Sequence, residues 1–117
     1  MLPKSQRLNL KTDFKWVAAG KKIESRHLKL FIRLGENKTP RVGIAVSSRI
    51  FKKATERNRA KRLVSQAFQS TIYPLREASH LPSTINIVAL PKTSILSVKS
   101  ADLAKELAVL LDEKNFN

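Results

Sequence analysis

The sequence predicts a small α+β domain, an α/β sandwich in which helices cover one sheet in the order α-β-β-α-β-α. Three observations carry this reading. Apolar and polar residues alternate over 27–34, while 41–47 and 85–90 are nearly continuous apolar runs, the patterns of half-buried and fully buried strands. Apolar residues recur at helical spacing over 55–69 and 98–113. With 117 residues, 42% of them hydrophobic, the chain can build one core and not two, so 1–117 is read as a single domain.

Each element follows from local chemistry. Residues 1–10 read as a flexible or loosely docked leader. Thr12 and Asp13 offer an N-cap to a short helix over 12–19, with Phe14, Val17 and Ala18 at helical spacing and Gly20 as its stop. The strand over 27–34 ends in the turn cluster Gly35-Glu36-Asn37-Lys38-Thr39-Pro40. The next strand, 41–47, is expected to form a hairpin with the first. Thr55 is the expected N-cap of the second helix, whose apolar stripe is Ala60, Leu63, Val64, Ala67 and Phe68. At about 100° per residue, Asn58, Lys61, Arg62 and Ser65 share the opposite face, with Arg57 and Arg59 at its borders. Pro74 and Pro82 bracket a polar connection, and 85–90 reads as a central strand ended by Pro91. Leu103, Leu107, Val109, Leu110 and Leu111 mark the stripe of the last helix, with Asp102, Glu106 and Asp112 on its solvent side. Strand 41–47, helix 55–68 and strand 85–90 make a β-α-β unit, for which the general rule favours a right-handed crossover.

Charge points to the partner. The net charge is +14, and residues 1–69 hold all of the excess, with eighteen Lys/Arg against four acidic side chains. Residues 70–117 carry five of each sign. Such asymmetry gives a one-sided potential, the electrostatic footprint of a nucleic-acid binder. Its densest part is KKATERNRAKR at 52–62, with six positive side chains and one negative. Like charges four residues apart destabilise a helix by a few tenths of a kcal/mol each, and a polyanion crossing that face relieves the cost. Guanidinium forks match phosphate oxygens in pairs. Arg57 stands above Lys61 and Asn58 above Arg62, two short rows able to straddle a backbone.

Other chemistries are poorly supplied. There is no cysteine, so disulfides and thiolate metal sites are excluded. His27 and His80 are far apart, Asp13, Glu24, Glu36 and Glu56 form no paired-carboxylate cluster, and three scattered glycines make no phosphate loop. No catalytic residue is assigned and no metal site on the chain is expected. No apolar run approaches a membrane span and the N-terminus has no secretory signal core, so a cytoplasmic protein is expected.

The run RVGIAVSSRIFKKATERNRAKRLVSQAF at 41–68, with Asp13, Phe14, Val17 and Gly20 as a D-F-x-x-V-x-x-G pattern, is similar to the signature of the protein subunit of bacterial ribonuclease P. The chain resembles that family from Leu8 to about the last helix. The resemblance implies an α/β sandwich with a left-handed β-α-β crossover, against the general rule. It implies that the chain binds a catalytic RNA, ribonuclease P RNA, and the single-stranded 5′ leader of precursor tRNA. Cleavage of that leader would then be carried by the RNA with Mg2+, making the chain an accessory subunit of an endoribonuclease; no DNA or membrane partner is implied. By the same resemblance Arg49, Lys52, Lys53, Arg57, Asn58, Arg59, Lys61 and Arg62 are expected to meet RNA. A leader-binding cleft is expected at Phe14, Lys15, Trp16 and Phe31. The sequence departs from the family pattern at Ala18, where many members carry an aromatic residue, at Ser48, a frequently basic position, and at Leu90-Pro91-Lys92, which carries fewer positive charges than usual. A structural RNA-binding module of the ribosomal-protein kind is the alternative, because phosphate contacts alone carry no sequence information. Phe51 and Phe68 are assigned to packing.

Overall fold

A computed structural model describes residues 7–36, 40–77 and 84–111. Its elements run α1 (Leu10–Ala18), β1 (Lys21–Glu24), β2 (Leu28–Leu34), β3 (Arg41–Ile44), α2 (Ala54–Glu77), β4 (Ile85–Pro91), a 3-10 turn (Thr93–Ser97) and α3 (Ser100–Leu110). The expected elements are present, and one strand is added. Lys21–Glu24 has a single half-buried residue, Ile23, among exposed neighbours, too weak a pattern to read as a strand from sequence.

The expected hairpin between 27–34 and 41–47 is corrected. The sheet order is β1-β2-β4-β3, so β2 pairs antiparallel with β1 and β4, while β3 pairs with β4 in parallel. The physical reason lies in β4. Ile85, Asn86, Ile87, Val88 and Ala89 are all buried, so this strand needs cover on both faces and both edges and takes a place between β2 and β3. The turn cluster after β2 therefore begins a connection across β4 rather than a tight hairpin.

Each face of the sheet has its own cover. Leu28, Leu30 and Ile32 of β2, Val42 of β3 and Ile85, Ile87 and Ala89 of β4 point to one side. There they meet Ala60, Val64, Ala67 and Phe68 of α2, Leu103, Leu107 and Leu110 of α3, and Phe51, which with Phe68 is a packing residue as expected. Burying each of these large side chains contributes roughly 1.5–3 kcal/mol. Thr71 ties the two helices, its hydroxyl donating to the carbonyls of Ala67 (2.7 Å) and Ala104 (3.3 Å). On the other side α1 lays Leu10, Phe14 and Val17 over Val88, Phe31, Ala45 and Leu90.

Six local readings change. Asn9, rather than Thr12 or Asp13, caps α1, its side chain accepting from the Lys11 N–H at 3.1 Å. The Lys53 carbonyl, one residue before α2, accepts the Arg57 N–H at 3.1 Å, so Thr55 lies inside the helix and does not cap it. Helix α2 continues through Pro74 to Glu77, at the cost of one ladder bond. Ser65, placed by the helical wheel with the solvent residues, is buried, because α2 lies against β3 and the incoming N-terminal segment on that flank. Val109 is 71% exposed although its spacing suits the α3 stripe, and one oxygen of Glu106, expected in solvent, is buried. Pro82, His80 and Asp112 lie outside the described residues, as does the first part of the expected leader, 1–6. The rest of that leader is docked: Leu8 is buried and its N–H donates to the Val42 carbonyl at 3.0 Å.

Candidate nucleic-acid interface

The basic segment is held by three internal anchors that leave its cations outward. The Ser47 hydroxyl accepts from the Arg49 N–H at 3.1 Å, and the Ser47 carbonyl accepts from the N–H groups of Ile50 (3.2 Å) and Phe51 (2.9 Å), closing a tight turn. Phe51 then enters the core. Finally, one terminal nitrogen of the Arg57 guanidinium donates back to the carbonyls of Phe51 (2.8 Å) and Lys52 (3.2 Å). Arg49, Lys52 and Lys53 stand exposed around this anchored loop.

Of the α2 residues expected to meet RNA, Asn58, Arg59, Lys61 and Arg62 are exposed. Arg59 and Arg62 border a shallow depression with Leu63 and Gln66. Lys61 looks the other way, into a groove floored by Leu8, Leu10, Val42, Gly43 and Ile44 and shared with Arg7 and Ser65. Gly43 allows this groove to form, since a Cβ there would sit 2.6 Å from Leu10 Cδ2. The basic helix thus presents one continuous cationic face and a separate lysine over an apolar groove. Arg57 differs from its neighbours: it is half-buried, and part of its donor capacity is spent inside the protein.

The expected cleft residues fall on both sides of α1. Phe14 and Phe31 meet in one apolar cluster with Ala45 and Leu90, where the cover of α1 gives way to bare sheet. Lys15 is exposed on the same helix. Trp16 is two residues from Phe14, about 160° away around the helix. It is 39% exposed, the Arg33 guanidinium lies 4.6 Å from its ring centroid, and Arg33 also donates to the Trp16 carbonyl at 3.0 Å. Trp16 lines a different groove, with Leu8, Thr12, Asp13, Leu34, Gly35, Glu36, Arg41 and Asn86. The structure brings Phe14 and Phe31 together and sets Trp16 apart.

Sequence reasoning missed several residues that share these surfaces. Lys29 and Arg33 alternate with the buried Leu28, Leu30 and Ile32, so strand periodicity alone puts them on the face of Phe31. Lys22 is directly opposite Phe31 in the sheet register, a placement that only the unrecognised β1 could reveal. Gln66 emerges one turn beyond Arg62.

Titration and metal chemistry are sparse. Lys92 Nζ lies 2.7 Å from a Glu24 carboxylate oxygen, and this hydrogen-bonded ion pair, helped by Lys22 and Lys29, holds the Glu24 carboxyl below the usual carboxylate range. His27 Nδ1 is 2.8 Å from the Ser94 hydroxyl, a link between the β1–β2 turn and the 3-10 turn. Among the described residues no group of three or more His, Cys, Asp or Glu could hold a metal ion, and no helix is long and apolar enough to cross a membrane.

Comparison with known proteins gives a consistent answer. The family model described as Ribonuclease P matches residues 2–115. The chain is 34% identical over 106 residues to the ribonuclease P protein component of Methylococcus capsulatus, covering 90% of this chain and 77% of that one. To the ribonuclease P protein component of a Pseudanabaena species it is 35% identical over 91 residues, covering 76% and 78%. The solved RNase P protein of Thermotoga maritima matches with a TM-score of 0.72 at 28% identity, over 90% of this chain and 94% of that chain. The RNase P protein of Staphylococcus aureus matches at 0.71 and 21% identity, over 92% and 94%, a likeness of fold.

Proposed function

The chain belongs to the ribonuclease P protein family, and from that membership we propose that it binds ribonuclease P RNA through α2 and the 5′ leader of precursor tRNA through the Phe14–Phe31 cleft. Family membership makes it a subunit of an endoribonuclease holoenzyme and a partner of that RNA. The observation that carries the RNA-binding reading is the outward cationic face of Asn58, Arg59 and Arg62, built on a loop anchored at Ser47, Phe51 and Arg57. A merely solvated helix needs no such anchoring of its basic approach. Each phosphate neutralised there releases counterions, so affinity falls steeply with salt. In the cleft, unpaired leader bases would stack on the half-buried rings of Phe14 and Phe31, at roughly 1–3 kcal/mol per base. Mg2+ is proposed to act with the RNA, which would supply the hydrolytic chemistry. The proposed setting is the cytoplasm.

Cleavage of precursor tRNA by a bacterial ribonuclease P RNA at low magnesium, with and without the protein, tests this reading. Stimulation by the parent chain and its loss in an Arg59→Ala/Arg62→Ala variant are expected. Tight, salt-sensitive RNA binding without stimulation would instead leave a structural RNA-binding module.

A further inference from the structure

Beyond the aromatic pair, the sheet face left bare by α1 carries a charged group of its own. The register sets Glu24 opposite Lys29, which is itself opposite Leu90, and Lys22 opposite Phe31, which is itself opposite Val88, so all six side chains share the face on which Phe14 packs. Lys92, just after β4, reaches over this surface. Its ammonium is 2.7 Å from Glu24 and donates to the Ser25 carbonyl at 2.8 Å, while its backbone N–H donates to the His27 carbonyl at 2.9 Å. Lys92 is thereby fixed in place, and the other two lysines rise from paired strands. Three cations surround one carboxylate, immediately beside Phe31.

We propose that Lys22, Lys29 and Lys92 form a phosphate-binding station for the single strand whose bases stack on Phe14 and Phe31, with Glu24 as the resident anion that a phosphodiester displaces. The inference rests on the leader reading of the aromatic cleft and extends it. Lys29 lies two residues along β2 from Phe31, a step of roughly 6.6 Å, and Lys22 lies directly across from Phe31 on β1, so a strand leaving the aromatic pair toward that corner of the sheet passes next over the lysines. The ion pair is partly exposed, with side chains at 37% and 44%, so it exchanges with solvent ions at little cost and can be exchanged for a phosphate. Glu24 keeps the lysines mutually tolerable when no strand is bound, and opposes a strand that lies there.

The test is affinity of the reconstituted holoenzyme for precursor tRNAs of graded leader length, with folding of each variant checked by thermal melting. Lys22→Ala/Lys29→Ala should bind short-leader substrate like the parent and lose affinity for long leaders, with a salt slope shallower by about 1.4 for two single-strand phosphate contacts. Glu24→Gln should bind long leaders about fivefold more tightly, the factor for removing one unit charge at about 4 Å in water. Phe31→Ala is the control for the aromatic cleft. If Phe31→Ala loses length dependence and the lysine variant keeps it, the phosphate station is wrong and the cleft stands. If length has no effect even on the parent, both fall. Equal weakening at every length overturns the station in favour of a general field, and unchanged or weaker long-leader binding by Glu24→Gln removes the displaced-anion role.

Discussion

Replacing Arg57 with Ala should cost stability as well as RNA affinity, unlike replacement of Arg59. The Arg57 guanidinium makes a half-buried bond of 2.8 Å to the Phe51 carbonyl and an exposed one of 3.2 Å to Lys52. A hydrogen bond involving a charged group contributes about 1.5–3 kcal/mol, and the exposed, longer one adds little. The expected loss is about 2 kcal/mol. For 117 residues the unfolding entropy at the midpoint corresponds to about 4 °C per kcal/mol, so Tm should fall by about 8 °C. Among the described residues Arg59 makes no such bond, and Arg59→Ala should stay within about 0.5 kcal/mol, or about 2 °C. Calorimetry or circular dichroism melting in RNA-free buffer measures the difference directly. Salt-dependent binding to ribonuclease P RNA then separates the two roles: each loss of a phosphate contact should lower the slope by about one unit. Equal melting temperatures for the two variants would refute the clasp and return Arg57 to the status of an ordinary surface cation.

Three other substitutions probe the architecture. Gly20→Ala should destabilise the protein by about 1–3 kcal/mol, because a Cβ there would lie 2.4 Å from the Ile32 carbonyl oxygen and 2.8 Å from Arg33 Cβ; urea unfolding reads this, and leader affinity should fall with it as α1 is pushed from the sheet. Trp16→Ala should remove the Arg33 contact, about 0.5–1 kcal/mol, while leaving leader-length dependence intact, since Trp16 stands on the far side of α1 from Phe14; loss of length dependence would place the strand in the Trp16 groove instead. Phe51→Ala should cost about 3–5 kcal/mol by chemical denaturation and release the basic loop it anchors, so a cost below 1 kcal/mol would contradict its burial at 1% exposure.

Much of the molecule was legible in residue order, and the misses have definite causes. Helices near 12–19 and 55–68 and a strand at 27–34 declare themselves through periodicity, and a strand at 85–90 through its continuous apolar run, although α2 runs on past the legible stripe to Glu77. Strand β1 carries no such pattern: it is an edge of four residues with one partly buried side chain, formed by pairing with β2. The hairpin expectation failed because adjacency in sequence favours local pairing, whereas the buried run 85–91 competes for the same edges and wins them by covering more apolar surface. Ser65 was misjudged for a related reason. A helical wheel knows one burying surface, but α2 meets α3, the sheet and the N-terminal segment at once.

By itself the sequence determined the class of fold, the sign and asymmetry of charge, the basic helix and, through its resemblance to ribonuclease P proteins, the family. These are carried by residue type and short-range spacing, which survive without coordinates. Only the tertiary structure decided which strands are neighbours, that Phe14 and Phe31 meet while Trp16 turns away, that Arg57 is partly spent on its own backbone, and that Lys22, Lys29 and Lys92 surround Glu24. Each of those depends on contacts between distant residues, and which of them form is settled by competition for burial across the whole chain.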